Sequence, residues 1–530
     1  MELRPSLSLA LSIVGLMSFV GQRAAVPAPV LLAASGVLWS MIPSIPSLEI
    51  APAVILSIFL PPLLYADAWD ASWIDFRRWL RPILQLAIGL VAFTILIVGI
   101  VAHAAMPNLP WAACFLLGAI VSPTDTVAVH AVLERLRVPR RVTAVLGGES
   151  LVNDATGLLG VSLATVVVMT GAFEAGRIGL RFAQIAGYGI LIGAAVGFAA
   201  ARLNSVVRGT NILFAFSLVA PYAAYFFAEH AGASGVLAVV IAGFVASWRL
   251  HVIAPESRVE LYSSWDQLTF VLNALMFLYV GLETPHRLTQ AFDAMGTHAA
   301  GGTLIGIALL ISVAVIVSRI VWIFPGAYIP LALMPKVRER EGGYPRPRAV
   351  ALATWCGVRG AVSLAAALSI PKLLPNGDPF PGRAEIIACT LVVILVTLIG
   401  QGITLLPLVR MLGLSDADPT EVEVRRAREA MLSAGIARLD AFCTEESCPI
   451  AVYRLRDVMA DQLSSLEAED SLARAEALQR LAVTGHVRRA IYEAQSKSLL
   501  ALRERGAVND KVHQELQLEL DRSSTDLRAS

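Results

Sequence analysis

The sequence predicts an all-α polytopic membrane protein of about 13 transmembrane helices with a soluble helical tail, and three observations carry that prediction. Of 530 residues, 56% are apolar and only 16% charged, with a mean hydropathy of +0.67, far from the balance of a soluble globular domain. Apolar windows recur at 6–21, 26–42, 50–66, 82–105, 111–133, 143–169, 182–201, 210–228, 233–248, 264–282, 301–324, 349–371 and 386–411, candidate spans for a hydrocarbon core about 30 Å thick. Loops after odd-numbered windows carry 17 Lys and Arg, among them Arg77, Arg78, Arg81, Arg140 and Arg141, whereas the N-terminal segment and the loops after even-numbered windows carry 6. Basic loops stay in the cytoplasm, so the alternation predicts an outside N-terminus, a cytoplasmic C-terminal tail and an odd number of spans.

Taken in order, the first window follows Arg4 as in a signal peptide. However, Gln22-Arg23-Ala24-Ala25 is a poor cleavage site and a second window follows at once, so it reads as an uncleaved helix. Asp67, Asp70 and Asp75 follow the third window and read as a solvated loop face, with attraction of cations to an entrance as the second reading. His103 and His130 lie near span ends and take no proton-relay role. Glu283 and Asp266, at the ends of the tenth window, read as interfacial. The net charge of +1 gives no basis for nucleic-acid binding. No zinc, Walker or dinucleotide pattern appears, and no cofactor is expected. The five cysteines are scattered, and Cys443 and Cys448 read as free thiols.

The sixth window organises the rest, because it places Glu149, Ser150, Asn153 and Asp154 at membrane depth. A charge there costs about 2.5–3.5 kcal/mol on insertion scales, so such residues face a protein interior and mark ion or proton paths. Ser150 and Asp154 share one helical stripe, and Glu149 and Asn153 the next. A buried carboxylate that only ties helices together is the plainer alternative. The fifth window is interrupted at Ser122-Pro123-Thr124-Asp125-Thr126, where proline removes a donor and disfavours helix before it. The twelfth is interrupted at Cys356-Gly357-Val358-Arg359-Gly360.

If windows 1–6 and 8–13 are inverted repeats, these are equivalent positions, and such broken helices crossing at the midplane point to an ion site. Four half-helix ends would then meet, wanting an acid at their positive ends and a base at their negative ends. Asp125 and Arg359 fit. Arg319, deep in the eleventh window, needs a counter-charge, and Glu149 is the natural partner. After residue 411 the spans stop, and residues 412–530 read as a cytoplasmic helical tail with an apolar stripe at Val452, Leu455, Met459, Leu463 and Leu466.

Ser122-Pro-Thr-Asp-Thr126, Gly148-Glu-Ser-Leu-Val-Asn-Asp154 and Gly357-Val-Arg-Gly-Ala361, joined by Leu60-Pro-Pro-Leu-Leu64 and Val280-Gly-Leu-Glu283, resemble the motifs of monovalent cation/proton antiporter family 1. The likeness is to its electroneutral branch of sodium/proton exchangers, over roughly residues 5–412. It implies a thirteen-helix fold with core and dimerising domains, working as a homodimer in the bilayer. It also implies an ion site of Asp154, Asp125, Ser150 and the Thr124 backbone, with Asn153 in the binding helix and a Glu149–Arg319 pair beside it. The substrates implied are Na+, or Li+ or K+, and H+.

Electrogenic relatives carry two acids where this chain has Asn153-Asp154, so one cation is expected to exchange for one proton by competition for Asp154. A K+/H+ antiporter of the same fold is the alternative. An organic-solute symporter, a channel and an intramembrane enzyme are less well served, since the polar groups are few, ion-sized in their clustering and without a hydrolase motif. Abundant Ala and Arg with little Lys suggest the plasma (inner) membrane of a bacterium.

Overall fold

The computed structural model describes residues 3–24, 26–42, 54–127, 129, 133, 138–171, 175–204, 206–207, 209–248, 253, 255–294, 298–414, 419–445, 450–467, 495–499, 501, 505 and 516. His130, Arg135, Arg137 and Cys448 lie outside them. Among the described residues every regular element is helical apart from one isolated bridge between Leu373 and Pro379. The chain divides into two compact units, Met1–Asp416 and Ala417–Ser530.

In the first unit the helices are α1 (Leu3–Ala24), α2 (Ala28–Ser40), α3 (Leu60–Asp70), α4 (Trp73–Arg78), α5 (Leu80–Ala105), α6 (Trp111–Val121), α7 (Arg140–Thr170) and α8 (Ala175–Asn204). They continue with α9 (Thr210–His230), α10 (Gly235–Ser247), α11 (Pro255–Ala294), α12 (His298–Leu333), α13 (Pro335–Arg340), α14 (Pro347–Trp355), α15 (Ala361–Leu368) and α16 (Arg383–Leu412). Stretches within α5, α7, α8, α9, α11, α12 and α16 are long and apolar enough to cross a membrane, and α1, α2, α6 and α10 are shorter apolar helices. In the second unit α17 (Pro419–Glu445) and α18 (Ile450–Glu467) pack as a pair, with Met459 against Gly435 and Arg456 bonded to Asp440 at 2.6 Å. Of the expected apolar stripe, Leu455 is 54% exposed, while Val452, Met459, Leu463 and Leu466 are half-buried.

Helices in lipid gain little from burying apolar side chains against one another, so close approach of backbones decides which pairs pack. Small residues supply that approach here. A side chain at Gly36 would collide with the Leu278 carbonyl and one at Gly281 with the Ala33 carbonyl, which locks α2 to α11. Gly193 and Gly197 meet the Ala238 and Ala242 carbonyls in the same way, joining α8 to α10. Three separate buried clusters are found among the described residues, and two of them flank the broken helices. One contains Leu60, Leu64, Tyr65, Ala224, Val239 and Trp265, and the other Leu117, Ile120, Val358, Ala365 and Leu398.

Both interrupted windows are broken as the residues suggest. α6 stops at Val121, residues 122–126 leave the helix, and helical backbone resumes at Val127. α14 stops at Trp355, and residues 356–360 are irregular before α15. The two irregular stretches touch, because the Asp125 amide donates to the Val358 carbonyl at 2.7 Å.

Two expectations need correction. Asp67 and Asp70 lie on α3, not in a loop, since the helix runs on past the point where apolar residues give way. Glu283 lies inside α11, is 6% exposed and is paired with Arg287 at 2.6 Å, one turn on, so the protein rather than the headgroup region covers it. Asp266 is exposed.

Overpacking a tight crossing typically costs about 1–3 kcal/mol. Gly281→Val should therefore lower the unfolding temperature of the detergent-solubilised protein, whereas Gly302→Ala, with no heavy atom within 4 Å of the added methyl and Ala the better helix former, should not lower it.

Candidate ion-binding site

The site is built where α7 passes the α6 break. The Ser150 hydroxyl donates to the Thr124 carbonyl at 3.0 Å, and the Asn153 amide donates to the Thr124 hydroxyl at 2.7 Å. That hydroxyl donates in turn to Glu149 at 3.3 Å. Glu149 and Arg319 form a two-pronged ion pair, Nη1 with Oε1 and Nη2 with Oε2, the latter at 2.9 Å. Each is only 1% exposed. Arg319 also donates to the Ala353 carbonyl, from Nε at 3.3 Å and from Nη2 at 3.0 Å, so α7, α12 and α14 are tied together behind the site.

The crossing has its own two charges. Arg359 donates from Nε to the Val121 carbonyl at 2.9 Å and from Nη1 to the Gly357 carbonyl, and its amide donates to the Thr397 hydroxyl at 3.1 Å. It thus serves carbonyls left over where α6 and α14 end. Asp125 accepts from the amides of Val127 at 2.9 Å and Ala361 at 3.4 Å, where helix resumes on the other side of each break. Oriented peptide dipoles favour this placement of each sign. The fit is close, because a side chain at Gly360 would occupy the space of the Asp125 carboxylate.

Asp154 differs from these. It is buried, yet its carboxylate makes no hydrogen bond among the described residues. It lines a cavity of about 30 Å³ with Thr124, Asp125, Ser150, Asp67, Asn273 and Ser363. That is room for about one water-sized guest. A second cavity of about 610 Å³ shares Asp67, Val127, Ser150 and Asn273 with the first and is lined further out by Asp70, Asp75 and Arg140. An open funnel therefore leads to the site, and its wall is rich in carboxylates.

The structure brings Asp154, Asp125, Ser150 and Thr124 to one cavity. It does not bring Asn153 there. That amide braces Thr124 from behind, with its Oδ1 buried and unpartnered. Glu149, Arg319 and Arg359 lie outside the cavity lining. Two polar lining residues, Asn273 and Ser363, went unread in the sequence, and Asp67 reads there as part of a solvated loop face or cation entrance rather than as a lining residue. Asn273 carried a usable signal, a lone amide in the apolar run Phe270–Leu278, and Asp67 stands one helical turn beyond Leu63 and Leu64, which also line the cavity.

Oxygen donors around a water-sized space, one of them an uncommitted carboxylate, suit a dehydrated hard cation or a proton. The space excludes an organic solute. The family described as sodium/hydrogen exchanger, transmembrane, matches residues 8–411. A protein of Mycobacterium tuberculosis described as an uncharacterized Na+/H+ exchanger is 33% identical over 515 residues, 95% of this chain and 92% of its own. A sodium, potassium, lithium and rubidium/H+ antiporter of Bacillus pumilus is 30% identical over 440 residues, 82% of this chain and 65% of its own. In fold, the chain is similar to the sodium proton antiporter MjNhaP1 of Methanocaldococcus jannaschii. The TM-score is 0.63 and the identity 21%, over 78% of this chain and all of that one.

Removing one partner of a buried ion pair costs about 3–5 kcal/mol, whereas replacing both by apolar groups can be near neutral. Arg319→Met should accordingly leave little folded protein after solubilisation, and E149L/R319M should recover most of it. Equal yields of the single variant and wild type would show that the pair contributes no net structure.

Proposed function

The chain belongs to the sodium/hydrogen exchanger family, and from that premise we propose that it exchanges a monovalent cation, Na+ first, with Li+ and K+ as competing substrates, for H+ at Asp154. The observation that carries the reading is a buried carboxylate without a hydrogen-bond partner among the described residues, facing a one-guest cavity lined by oxygen donors. Asp154 either holds a proton or, ionised, binds the cation together with oxygens of Ser150, Asp125 and the Thr124 segment.

Charge counting supports one-for-one exchange. Arg319 balances Glu149 in a closed pair behind the cavity, and Arg359 and Asp125 bring opposite charges to the crossing. Asp67 also lines the cavity, and with its protonation unchanged through the cycle Asp154 is the group whose occupancy changes the charge of the site. Loaded with either substrate, it is electrically quiet. Empty, it leaves an uncompensated buried charge, which is strongly disfavoured in a low-dielectric surround. A loaded site can therefore change sides and an empty one cannot, which enforces exchange. The funnel wall carries Asp75 and Arg140, residues of the arginine-rich side, so this conformation faces the cytoplasm if basic loops lie inside. Asp67, Asp70 and Asp75 there raise the local concentration of cations.

In proteoliposomes with an imposed proton gradient, addition of sodium should dequench a pH-sensitive dye. The response should vanish in Asp154→Asn and should not change in rate when the membrane potential is clamped. A surviving response in the variant would remove Asp154 from the exchange, and a potential-dependent rate would rule out one-for-one stoichiometry.

The same reading takes the protein as a homodimer of the plasma membrane with its N-terminus outside. Cross-linking in nanodiscs should then give twice the 56.5 kDa chain mass. A cysteine introduced as Lys336→Cys should react with an impermeant maleimide only from the cytoplasmic side.

A further inference from the structure

The six-residue helix α4 has two sides of different chemistry. Asp75 and Phe76 line the funnel, and Asp75 accepts from Arg140 Nε at 2.8 Å, at the start of the helix that carries Asp154. Trp73, Ile74, Arg77 and Arg78 line a separate open cavity of about 380 Å³, which Arg340 at the end of α13 completes. All five side chains are exposed, Ile74 at 77%. Three guanidinium groups thus surround one space whose lining contains no carboxylate.

The neighbouring acids are committed or turned elsewhere. Glu341, next in sequence to Arg340, is 6% exposed and holds Arg81 through both oxygens at 2.6 and 2.9 Å, and Arg141 at 3.3 Å. Asp75 is held by Arg140. Glu339 is exposed on α13 and lies outside the cavity lining. Arg78 stacks over Trp79 at 5.3 Å, while Arg77 and Arg340 form no ion pair among the described residues. Leaving like charges together without counter-ions is unfavourable unless an anion joins them.

The surroundings say which kind of anion. α4 joins the end of α3 to the start of the membrane-length helix α5, so it lies where hydrocarbon gives way to headgroups. Trp73 is fixed there by stacking on Phe76 at 5.9 Å and by an edge contact with Trp248 at 5.4 Å. Aromatic side chains favour this depth. Leu80, Leu84 and Ile88 are exposed at four-residue spacing down one face of α5, an apolar track leading away from the arginines into the membrane. A soluble phosphate has no use for that track. A lipid phosphate does, and arginine forks bind phosphate through paired donors.

We propose that the cavity between α4 and α13 is a binding site for the phosphate headgroup of an anionic phospholipid from the arginine-rich leaflet, with an acyl chain running along Leu80, Leu84 and Ile88. The site is distinct from the cation site, and α4 is the element that this cavity shares with the funnel. An occupied site would hold α4, and with it the Asp75–Arg140 contact at the mouth of the funnel.

Native mass spectrometry of the full-length protein in mild detergent, given equal amounts of phosphatidylglycerol and phosphatidylcholine, tests this without reference to transport. Wild type should retain phosphatidylglycerol in clear preference. Arg77→Gln with Arg340→Gln should weaken that adduct roughly thirtyfold, as expected for two basic residues at a membrane surface, with no change in unfolding temperature. Arg77→Lys with Arg340→Lys should keep most of it, and Leu84→Ser with Ile88→Ser should weaken it without touching the charges. No preference for the anionic lipid, or equal retention by the glutamine variant, would overturn the proposal. So would displacement by millimolar inorganic phosphate, which would mark an anion site with no lipid component.

Discussion

Backbone that leaves the helix at membrane depth must take its hydrogen bonds from protein, because lipid offers none. In this chain two charged side chains answer much of that demand, helped by the Ser150 and Thr397 hydroxyls and by Arg319. Arg359 serves the carbonyls of Val121 and Gly357, and Asp125 serves the amides of Val127 and Ala361. With the Asp125 amide closed onto the Val358 carbonyl, the two breaks become one rigid crossing. The steric consequences spread outward. Gly360 leaves room for the Asp125 carboxylate, Gly357 lies against the Arg319 side chain, and Gly157 admits the Pro123 ring, so α7 can lie directly beside the break.

This crossing separates groups that are fixed from groups that are free. Glu149, Arg319, Arg359 and Asp125 are each held by two or more partners at set distances. Asp154 is held by none among the described residues, and Asp67 lines both cavities. Such a division is what reversible ligation at a buried position needs, since a carboxylate already saturated with donors would have to lose them before taking up a cation. The cavity also lies on the seam between two of the buried clusters. Leu60 and Leu64 come from one and Ala361 from the other, so a sliding of one cluster past the other would change access to Asp154 without disturbing the crossing.

Much of this was legible in the sequence, for a physical reason: a charge, a proline or a pair of glycines inside an apolar run is costly in lipid and so stands out. That logic singled out Asp154, Glu149, Arg319, Asp125 and Arg359, and the opposite-sign requirement of half-helix ends paired the last two with their correct termini. The residues it missed sit where the contrast fades. Asp67 follows an apolar window closely enough to read as loop, and its place on the cavity depends on a helix continuing for one more turn. The Glu341 cluster with Arg81 and Arg141 joins segments 200 or more residues apart through loops that look merely basic. Glu283 was misplaced because its partner Arg287, four residues on, lies beyond the window edge.

Position 153 shows how the charge of the site could be set by a group that never touches the guest. The Thr124 hydroxyl has a single proton, which goes to Glu149, and it accepts from the Asn153 amide. An aspartate at 153 has no donor to offer when ionised. Two carboxylates would then compete for that one proton, and a second negative charge would stand beside a framework whose two arginines are already matched. The neutral amide satisfies Thr124, leaves the Glu149–Arg319 pair balanced and keeps Asp154 as the single group whose occupancy alters the total. On this argument the one-for-one exchange proposed for the chain depends on a hydrogen-bond donor behind the cavity as much as on the carboxylate inside it.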